Sequence, residues 1–161
     1  MKINKTSLKK CLEKILKINT TNLTTKQMTE ILKVYLTTDV VNVKVEFIRP
    51  VYDNLKEWKE NPVNEYIGRK GVVFIGKGQD KERFPKKDSI WANIFKIDKN
   101  TDRNKVIELY ESYIREKIEK DGLQEELLKL EGKNLGCWCK PERCHGDVLR
   151  ELIAEYKQKL K

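Results

Sequence analysis

The sequence predicts an α/β protein: a small Rossmann-like domain of two or three layers, preceded by a small three-helix domain. Apolar residues recur at helical spacing in the first sixty residues. Short runs typical of strands follow between residues 65 and 76 and again near residue 134, and they alternate with helical patterns. Asn61-Pro62 marks the boundary, because proline disfavours helix in the residue before it. We therefore expect a helical domain at residues 1–60 and an α/β domain at residues 62–161.

Composition and charge narrow the classes of partner. No apolar run approaches the roughly 20 residues needed to cross a bilayer, and the basic N-terminus has no signal-peptide core. We expect an intracellular protein with no membrane partner, in the cytoplasm or nucleus of the producing cell or in a virion. The 34 basic and 25 acidic residues give a net charge of +9. This excess favours nucleic acid, DNA in particular, or nucleotides, although lysines scattered over helix faces also serve solubility alone.

The N-terminal sixty residues predict two amphipathic helices and an ambiguous third element. The first helix spans about Thr6–Ile18. The second begins with a capping box, in which Thr24 and Gln27 can satisfy each other's amides. Val41–Phe47 alternates like a strand, but apolar residues from Phe47 onward recur as in a helix. Pro50 would fit as the first residue of that helix.

The order of these features resembles the DEK C-terminal domain. The matching residues are the first Leu/Ile stripe, Leu23-Thr24-Thr25-Lys26-Gln27, Lys44, Phe47-Ile48 and Leu55. The resemblance implies three packed helices and DNA binding, and it favours helix for the third element. The alternative is a helical extension that docks on the second domain without binding anything.

The C-terminal domain begins with two predicted strands, Glu65–Arg69 and Gly71–Gly76. The charged, glycine-rich segment Lys77–Asp88 lacks apolar periodicity and is either disordered or a functional lid. Ser89–Phe95 is apolar and aromatic, and we expect a turn that inserts into the core. A long helix over about Asp102–Lys120 follows, with a regular buried face.

The end of the domain predicts a ligand site. A short helix that Gly132 can end precedes the strand Asn134–Cys139, the loop Lys140–Arg143 and a final helix that begins near Cys144. Strand, loop and helix form ligand sites in open α/β sheets, at the carboxyl end of the strand and near the positive end of the helix. Cysteines occupy this position.

Three of the four cysteines lie within eight positions, and a histidine follows them. A secreted disulfide framework spreads its cysteines along the chain, whereas a local cluster without an export signal indicates metal ligands or reactive thiols. The cluster consists of Cys137, Cys139, Cys144 and His145. Cys11 stands apart, and we expect it to be a small core residue.

Several motifs of this half resemble a known family. They are Tyr66-Ile67-Gly68-Arg69, Ser89-x-Trp91-x-Asn93-x-Phe95, the helix after Arg103, and Gly136-Cys137-Trp138-Cys139-x-Pro141-x-x-Cys144-His145-Gly146-Asp147-Val148-Leu149. They are similar to the domain of unknown function 4326, which occurs in phages, bacteria and large DNA viruses, over about residues 64–156. The family usually has Gly-Asn-Pro-Phe where this chain has Ala92-Asn93-Ile94-Phe95. The resemblance implies a fold and a site but no activity.

Three interpretations of the cluster are compatible with the sequence. Cys137, Cys139, Cys144 and His145 are suitable zinc ligands, although Cys-x-Cys is a less common chelate. Alternatively, Cys144 is a reactive thiol whose pKa is lowered by a helix N-terminus, Arg143 and His145. In the third interpretation the cysteines mainly pack, and the site binds a nucleotide or nucleic acid.

The leading hypothesis is an enzyme that acts on nucleotides or nucleic-acid bases. The candidate catalytic residues are His145 and Asp147, which would move a proton, and Cys144. The candidate substrate-binding residues are Gly68, Arg69, Trp91, Asn93 and Arg103: the arginines would hold phosphate, Asn93 would recognise a polar edge, and Trp91 or Trp138 would stack on a base. The runner-up is a non-enzymatic DNA-binding protein, such as a viral genome-associated one, whose cluster stabilises the fold.

Overall fold

A three-stranded parallel sheet lies at the centre of the computed structural model, which describes residues 5–15 and 19–159. Strand β5 (Asn134–Cys137) is the middle strand, with β1 (Asp39–Asn42) on one side and β2 (Asn64–Tyr66) on the other. Because all three strands are parallel, their carboxyl ends meet at one edge of the sheet. The α/β class predicted from the sequence is confirmed.

The N-terminal helices begin where their signals predict. Helix α1 (Lys5–Lys10) continues as a π-helical segment (Cys11–Ile15), and residues 16–18 of the predicted helix lie outside the described residues. Helix α2 (Thr25–Thr37) opens with the predicted capping box. The Gln27 amide donates to Thr24 Oγ1 at 3.2 Å, and the Thr24 amide donates to Gln27 Oε1 at 2.9 Å. Two amides without a partner inside the helix are thereby satisfied.

The segment after α2 contains both structures that its sequence pattern allowed. Strand β1 comes first, and two short helices follow, α3 (Val45–Ile48) and α4 (Leu55–Glu60). Pro50 lies in the turn between these helices, so the prediction that it begins a helix is wrong. The side chain of Asn54 caps α4 instead, because its oxygen accepts two amide hydrogen bonds from the first turn.

The N-terminal sixty residues do not enclose a core of their own. Strand β1 pairs with β5 over its full length, from Asp39 opposite Asn134 to Asn42 opposite Cys137. Apolar side chains of the first two helices also share a core with the C-terminal helices; they are Leu8, Leu12, Met28, Ile31 and Val34. A second core cluster also crosses residues 61–62, because it joins buried residues before this point to Tyr66 of β2; they are Val43, Ile48, Leu55 and Trp58. No separate core therefore lies on either side of the expected division.

Residues 73–84 form an antiparallel hairpin. Strand β3 (Val73–Ile75) pairs with β4 (Glu82–Phe84), and a 3₁₀ turn (Gly78–Asp80) lies between them. Of the two alternatives predicted for Lys77–Asp88, disorder is therefore wrong, and a functional lid stays a prediction. The half-buried Phe84 ring packs against the apolar cluster on this face of the central sheet. This contact gives the otherwise charged segment a buried apolar surface.

The C-terminal helices follow the prediction closely. Helix α5 (Arg103–Asp121) is capped by Asp102, whose side chain accepts an amide hydrogen bond at 2.9 Å, and it ends at Gly122 with a left-handed φ of 65°. Helix α6 (Gln124–Leu128) and helix α7 (His145–Lys159) follow. Among the described residues, no helix has the length and apolarity needed to span a membrane.

Both faces of the central sheet are covered, which gives three layers. Leu135 and Cys137 of β5 point towards α2, α5 and α7, whereas Gly136 and the following Trp138 point towards α4 and the hairpin. A Cβ at Gly136 would lie 2.5 Å from the Trp58 ring. Only glycine therefore lets α4 pack this closely on the middle strand.

Candidate metal centre and adjoining cleft

Three cysteines and one histidine meet at the carboxyl edge of the sheet. Cys137 ends β5, Cys139 lies two residues beyond it, and Cys144 and His145 stand at the start of α7. A turn returns the chain between them, closed by the Glu142 amide, which donates to the Cys139 carbonyl at 3.0 Å. The four potential ligand atoms all lie within 4.8 Å of one another, so the cluster could hold a metal ion.

The cluster is largely shielded from solvent. Cys137, Cys144 and His145 are buried, and Cys139 is half-buried. The Sγ atoms of Cys137 and Cys144 lie 2.7 Å apart, and Nδ1 of His145 lies 3.6 Å from the first sulfur and 3.7 Å from the second. All of these cysteines are free, so their sulfurs are available as ligands.

The imidazole of His145 has a defined orientation. Its Nε2 atom lies 2.9 Å from the carbonyl oxygen of Ile67, one residue beyond β2. A carbonyl only accepts, so Nε2 carries a proton, and in the neutral ring Nδ1 directs a lone pair at the sulfurs. The ring of Tyr110 packs edge-on against this imidazole, with 5.0 Å between the ring centroids. A histidine that donates from one nitrogen to a carbonyl and offers the other is typical of metal ligands.

Burial and neighbouring thiols shift the pKa values of the cluster in opposite directions. Burial lowers the pKa of His145, but contacts with Cys137 and Cys139 raise it more, to about 9. The Cys137 and Cys144 side chains hold the pKa of Cys139 well below its usual range, whereas the neighbouring thiols and burial raise the pKa of Cys144. The cluster thus favours negative charge on Cys139, and a bound cation would displace the proton from His145 Nδ1.

Asp147 stabilises the loop before α7 and does not contact His145. Its carboxylate accepts hydrogen bonds from the Lys140 ammonium at 2.7 and 2.8 Å and from the Cys144 amide at 3.0 Å. Arg150 lies 3.4 Å from the same group. The expected proton transfer between His145 and Asp147 therefore lacks the contact that it requires. Cys144 is fully buried, which is the wrong environment for a nucleophile that must reach a substrate.

A cleft of about 750 Å³ lies directly beside the cluster. Cys137, Cys139 and His145 line it. Four of the five predicted substrate-binding residues also line it: Gly68, Arg69, Asn93 and Arg103. The fifth, Trp91, is buried in the core, so the structure does not bring this ring to a ligand in the cleft.

The lining of the cleft is positively charged. Its basic residues are Arg69, Lys70, Lys96 and Arg103. Asp88 is the acidic residue of the lining, and its carboxylate accepts the backbone amide of Lys70 at 2.7 Å. Arg103 lies 3.8 Å from Glu142 and is partly neutralised. Within the described part of the chain, the side chains of Arg69, Lys70 and Lys96 form no ion pair or hydrogen bond, so their charge is available to an anion.

Asn93 and Trp138 also line the cleft. Asn93 is buried, and its Oδ1 accepts the Phe95 amide at 2.9 Å, which leaves the side-chain NH₂ group as a donor. The half-buried Trp138 donates from Nε1 to Tyr66 Oη at 3.0 Å. The Tyr66 hydroxyl in turn donates to the Arg69 carbonyl at 2.9 Å. This chain of hydrogen bonds fixes the indole relative to the arginine.

Three contributions to this site were not predicted from the sequence. They are the Ile67 carbonyl that orients His145, and the basic side chains of Lys70 and Lys96. Every residue has a backbone carbonyl, so the sequence does not indicate which carbonyl orients His145. The two lysines directly follow the motif residues Arg69 and Phe95. Their position next to the motifs was the signal from which they could have been predicted.

The chain is similar in sequence to a described protein family. A family model for the domain of unknown function DUF4326 matches residues 52–155, which include the hairpin, the cleft and the whole Cys/His cluster. No curated protein and no solved structure matches the chain significantly. The similarity to the DEK C-terminal domain stays a prediction. Because the matched segment is more than half of the chain, the protein belongs to the DUF4326 family.

Proposed function

We propose that the cluster binds zinc and that the adjoining cleft binds a phosphorylated nucleotide, either free or within nucleic acid. The observation that carries this proposal is a positively charged cleft of about 750 Å³ beside four clustered metal-ligand residues. The zinc ion would stabilise the edge of the sheet from which the cleft is built. The cleft would supply the binding function.

The spacing of the ligand atoms suits zinc. With bonds of about 2.3 Å to sulfur and 2.0 Å to nitrogen, tetrahedral zinc places a sulfur about 3.5 Å from a nitrogen and two sulfurs about 3.8 Å apart. The distances of 3.6 and 3.7 Å from His145 Nδ1 to the sulfurs of Cys137 and Cys144 agree with this geometry. The two sulfurs, now 2.7 Å apart, would separate by about 1 Å on binding. Thiolate and imidazole ligands also favour zinc over magnesium or calcium.

Four protein ligands would make the zinc site structural. A catalytic zinc ion keeps one position for water or substrate, whereas Cys137, Cys139, Cys144 and His145 would fill a tetrahedral shell. The ion would join the end of β5 to the start of α7. Through the Ile67 carbonyl it would also be linked to β2. Such a centre determines where the strand ends lie, and with them the shape of the cleft.

The charges of the cleft favour phosphate as the group recognised. Arg69 can bind phosphate oxygens through two parallel hydrogen bonds, and Lys70 and Lys96 add point charges. Because the side chains of Arg69, Lys70 and Lys96 form no ion pair or hydrogen bond with other described residues, a phosphate need not displace a carboxylate from them.

The remaining polar and aromatic groups suit a nucleotide base. The free NH₂ of Asn93 can donate to a ring nitrogen or carbonyl of a base, and the fixed indole of Trp138 offers a surface for stacking. The volume lies within the range of about 300–1,000 Å³ that ligand sites usually have. A nucleotide can therefore contact more of the residues that line the cleft than inorganic phosphate can.

The described groups support binding better than catalysis. Both ring nitrogens of His145 are occupied, one by the Ile67 carbonyl and the other by the sulfurs. The Asp147 carboxylate pairs with Lys140, and Asp88 accepts an amide. A general base needs an unoccupied position within hydrogen-bond reach of the substrate. We therefore favour a non-enzymatic nucleotide-binding or nucleic-acid-binding protein over the enzyme suggested by the sequence.

Calorimetric titration with dAMP tests the proposed cleft. We expect dAMP to bind, and Arg69→Gln to weaken binding by about 10-fold or more, because a charge-assisted hydrogen bond to phosphate is lost. Lys120→Gln is the matched control, since this exposed lysine lies near the opposite end of α5 from Arg103. Absence of dAMP binding would contradict the proposal, and equal losses in both variants would indicate attraction by net charge alone.

A further inference from the structure

The β3–β4 hairpin exposes an aromatic ring that lies close to two cations. The Phe74 side chain is 54% exposed. The Arg83 guanidinium carbon and the Lys81 Nζ atom lie 4.7 and 4.8 Å from its ring centroid. This combination suits single-stranded nucleic acid, because its bases stack on aromatic rings while its phosphates pair with neighbouring cations.

The two faces of the hairpin differ in character. Val73 and Phe84 are paired and pack against the apolar cluster on the central sheet. Phe74 and Arg83 form the next pair and therefore point away from that core. Glu82 alternates with Arg83, so the acidic side chain of β4 lies on the inner side. The outer face thus presents its aromatic ring and cations without a carboxylate from the strands.

This outer face is continuous with the cleft. Val72 precedes β3, is 40% exposed and lines the cleft together with Lys70. Residues 69–88 carry seven basic and three acidic side chains. A chain of phosphates that leaves the cleft on this side therefore meets further positive charge along the hairpin.

We infer that the hairpin binds single-stranded nucleic acid that extends out of the cleft. Phe74 stacks on a base, and Lys81 and Arg83 contact phosphates on either side of it. The inference rests on the proposed binding of a nucleotide in the cleft. The ligand is then a polynucleotide, and the cleft binds one of its nucleotides. A duplex is the poorer ligand, because its bases are already stacked and paired with each other.

Fluorescence anisotropy with a labelled oligothymidylate tests the inference. An oligomer of about 12 nucleotides covers the usual length of a single-stranded binding site. We expect Phe74→Ala to weaken its binding by about 10-fold or more, and Phe74→Trp to restore it, because stacking is lost in the first variant and kept in the second. The matched control is Leu36→Ala, at a 77% exposed residue on α2. It should leave the affinity unchanged.

The cations are tested through the salt dependence of the same binding. Lys81→Gln combined with Arg83→Gln should reduce the slope of log affinity against log salt by about 1.4, the value for two phosphate contacts to a single strand. An unchanged slope would overturn the assignment of these cations. Phe74 is exposed, so thermal unfolding of Phe74→Ala should match that of the unmodified protein.

Titration with dAMP separates the hairpin from the cleft. Unchanged dAMP binding with weakened oligomer binding in Phe74→Ala supports the inference. Full oligomer affinity in Phe74→Ala overturns it and leaves the cleft proposal intact, whereas absence of dAMP binding in the unmodified protein removes the cleft proposal. A stronger, Phe74-dependent association with vesicles of anionic phospholipid than with the oligomer would assign the surface to a membrane and overturn the inference.

Discussion

At the scale of single residues, Tyr110 links the candidate metal centre to the turn that carries Asn93. Its side chain is fully buried, and its hydroxyl donates to the Trp91 carbonyl at 2.8 Å while its ring packs against His145. Burial raises the pKa of Tyr110 well above its ordinary value, so the hydroxyl remains a donor. The residue thus aligns one wall of the cleft with the start of α7.

Tyr110→Phe is expected to lower the free energy of unfolding by about 1–3 kcal/mol, because the buried Trp91 carbonyl loses its donor. Urea denaturation measures the change. Tyr113→Phe is the matched control: Tyr113 is half-buried beside Phe95, and its hydroxyl forms no hydrogen bond with another described residue. We expect a change below about 0.5 kcal/mol there. Equal losses in both variants would show that the hydrogen bond is not the cause.

At the scale of elements, an ion-pair network joins α5 to α7. Arg115 on α5 donates to Glu111 at 3.0 Å and to Glu155 on α7 at 2.7 Å. Lys159 lies 2.9 Å from the same Glu155 carboxylate. Burial raises the pKa of Glu155, but the hydrogen bonds from Lys159 and Arg115 lower it more, so the net pKa lies below its ordinary value. The ionised carboxylate therefore stabilises the packing of the two helices.

Glu155→Gln is expected to reduce the free energy of unfolding by up to about 1 kcal/mol near pH 7, the usual size for a partly exposed pair. A lowered folded pKa means that this stabilisation is complete above the unfolded value of about 4.3 and is lost as the pH falls through the folded pKa. Urea denaturation should show that the free energies of unfolding of Glu155→Gln and of the unmodified protein become equal at low pH. The control is Glu108→Gln, which removes an exposed ion pair with Lys105 and should have little effect on stability. A difference between Glu155→Gln and the unmodified protein that does not change with pH would contradict a stabilising role of the ionised carboxylate.

At the scale of the whole molecule, the central sheet makes the two predicted domains interdependent. Strands β1 and β2 both pair with β5, and the apolar side chains of α1 and α2 lie in the same core as those of α7. The cluster stands where β5 ends and α7 begins. Loss of a metal ion there would loosen the edge of the sheet that both halves of the chain build.

Protein purified without added metal is expected to contain about one zinc ion per chain. Bound zinc at about 1,000 times its Kd adds about 4 kcal/mol, which for a chain of this size corresponds to about 8–16 °C in Tm. Chelation should therefore lower Tm by that amount, with helical circular dichroism and tryptophan fluorescence changing together.

Elemental analysis of two cysteine variants provides the control. Cys139→Ser should lose the zinc, whereas Cys11→Ser should keep it, because Cys11 lies in the π-helical segment apart from the cluster. Zinc-free protein with an unchanged Tm, or retention of the ion by Cys139→Ser, would contradict a four-ligand site.

Local signals predicted the elements of the fold better than their pairing. The capping box of Thr24 and Gln27 marked the start of α2, and the apolar face of α5 marked its whole length. The pairing of Asp39 with Asn134 joins segments far apart in the sequence, and no local pattern indicates it. Strand β4 has only three residues, too few to show alternation, so the charged segment around it suggested either disorder or a lid.

The proximity of the four cluster residues could be predicted from their spacing in the sequence. Cys137 and Cys139 share a side of the extended chain, and a short loop brings Cys144 and His145 back to them. Burial depends on packing, so the sequence could not show that Trp91 faces the core while Trp138 lines the cleft. The partner of His145 was likewise hidden, because it is a backbone carbonyl on another strand.

The middle strand of the sheet is the last strand to be synthesised. Strands β1 and β2 leave the ribosome well before β5, and neither pairs with the other. Their backbone edges therefore remain open in the nascent chain until residue 137 has emerged, and open edges are sites at which other chains can add. Contacts between such distant segments also form slowly. The growing polypeptide is accordingly expected to need chaperone protection until β5 has been synthesised.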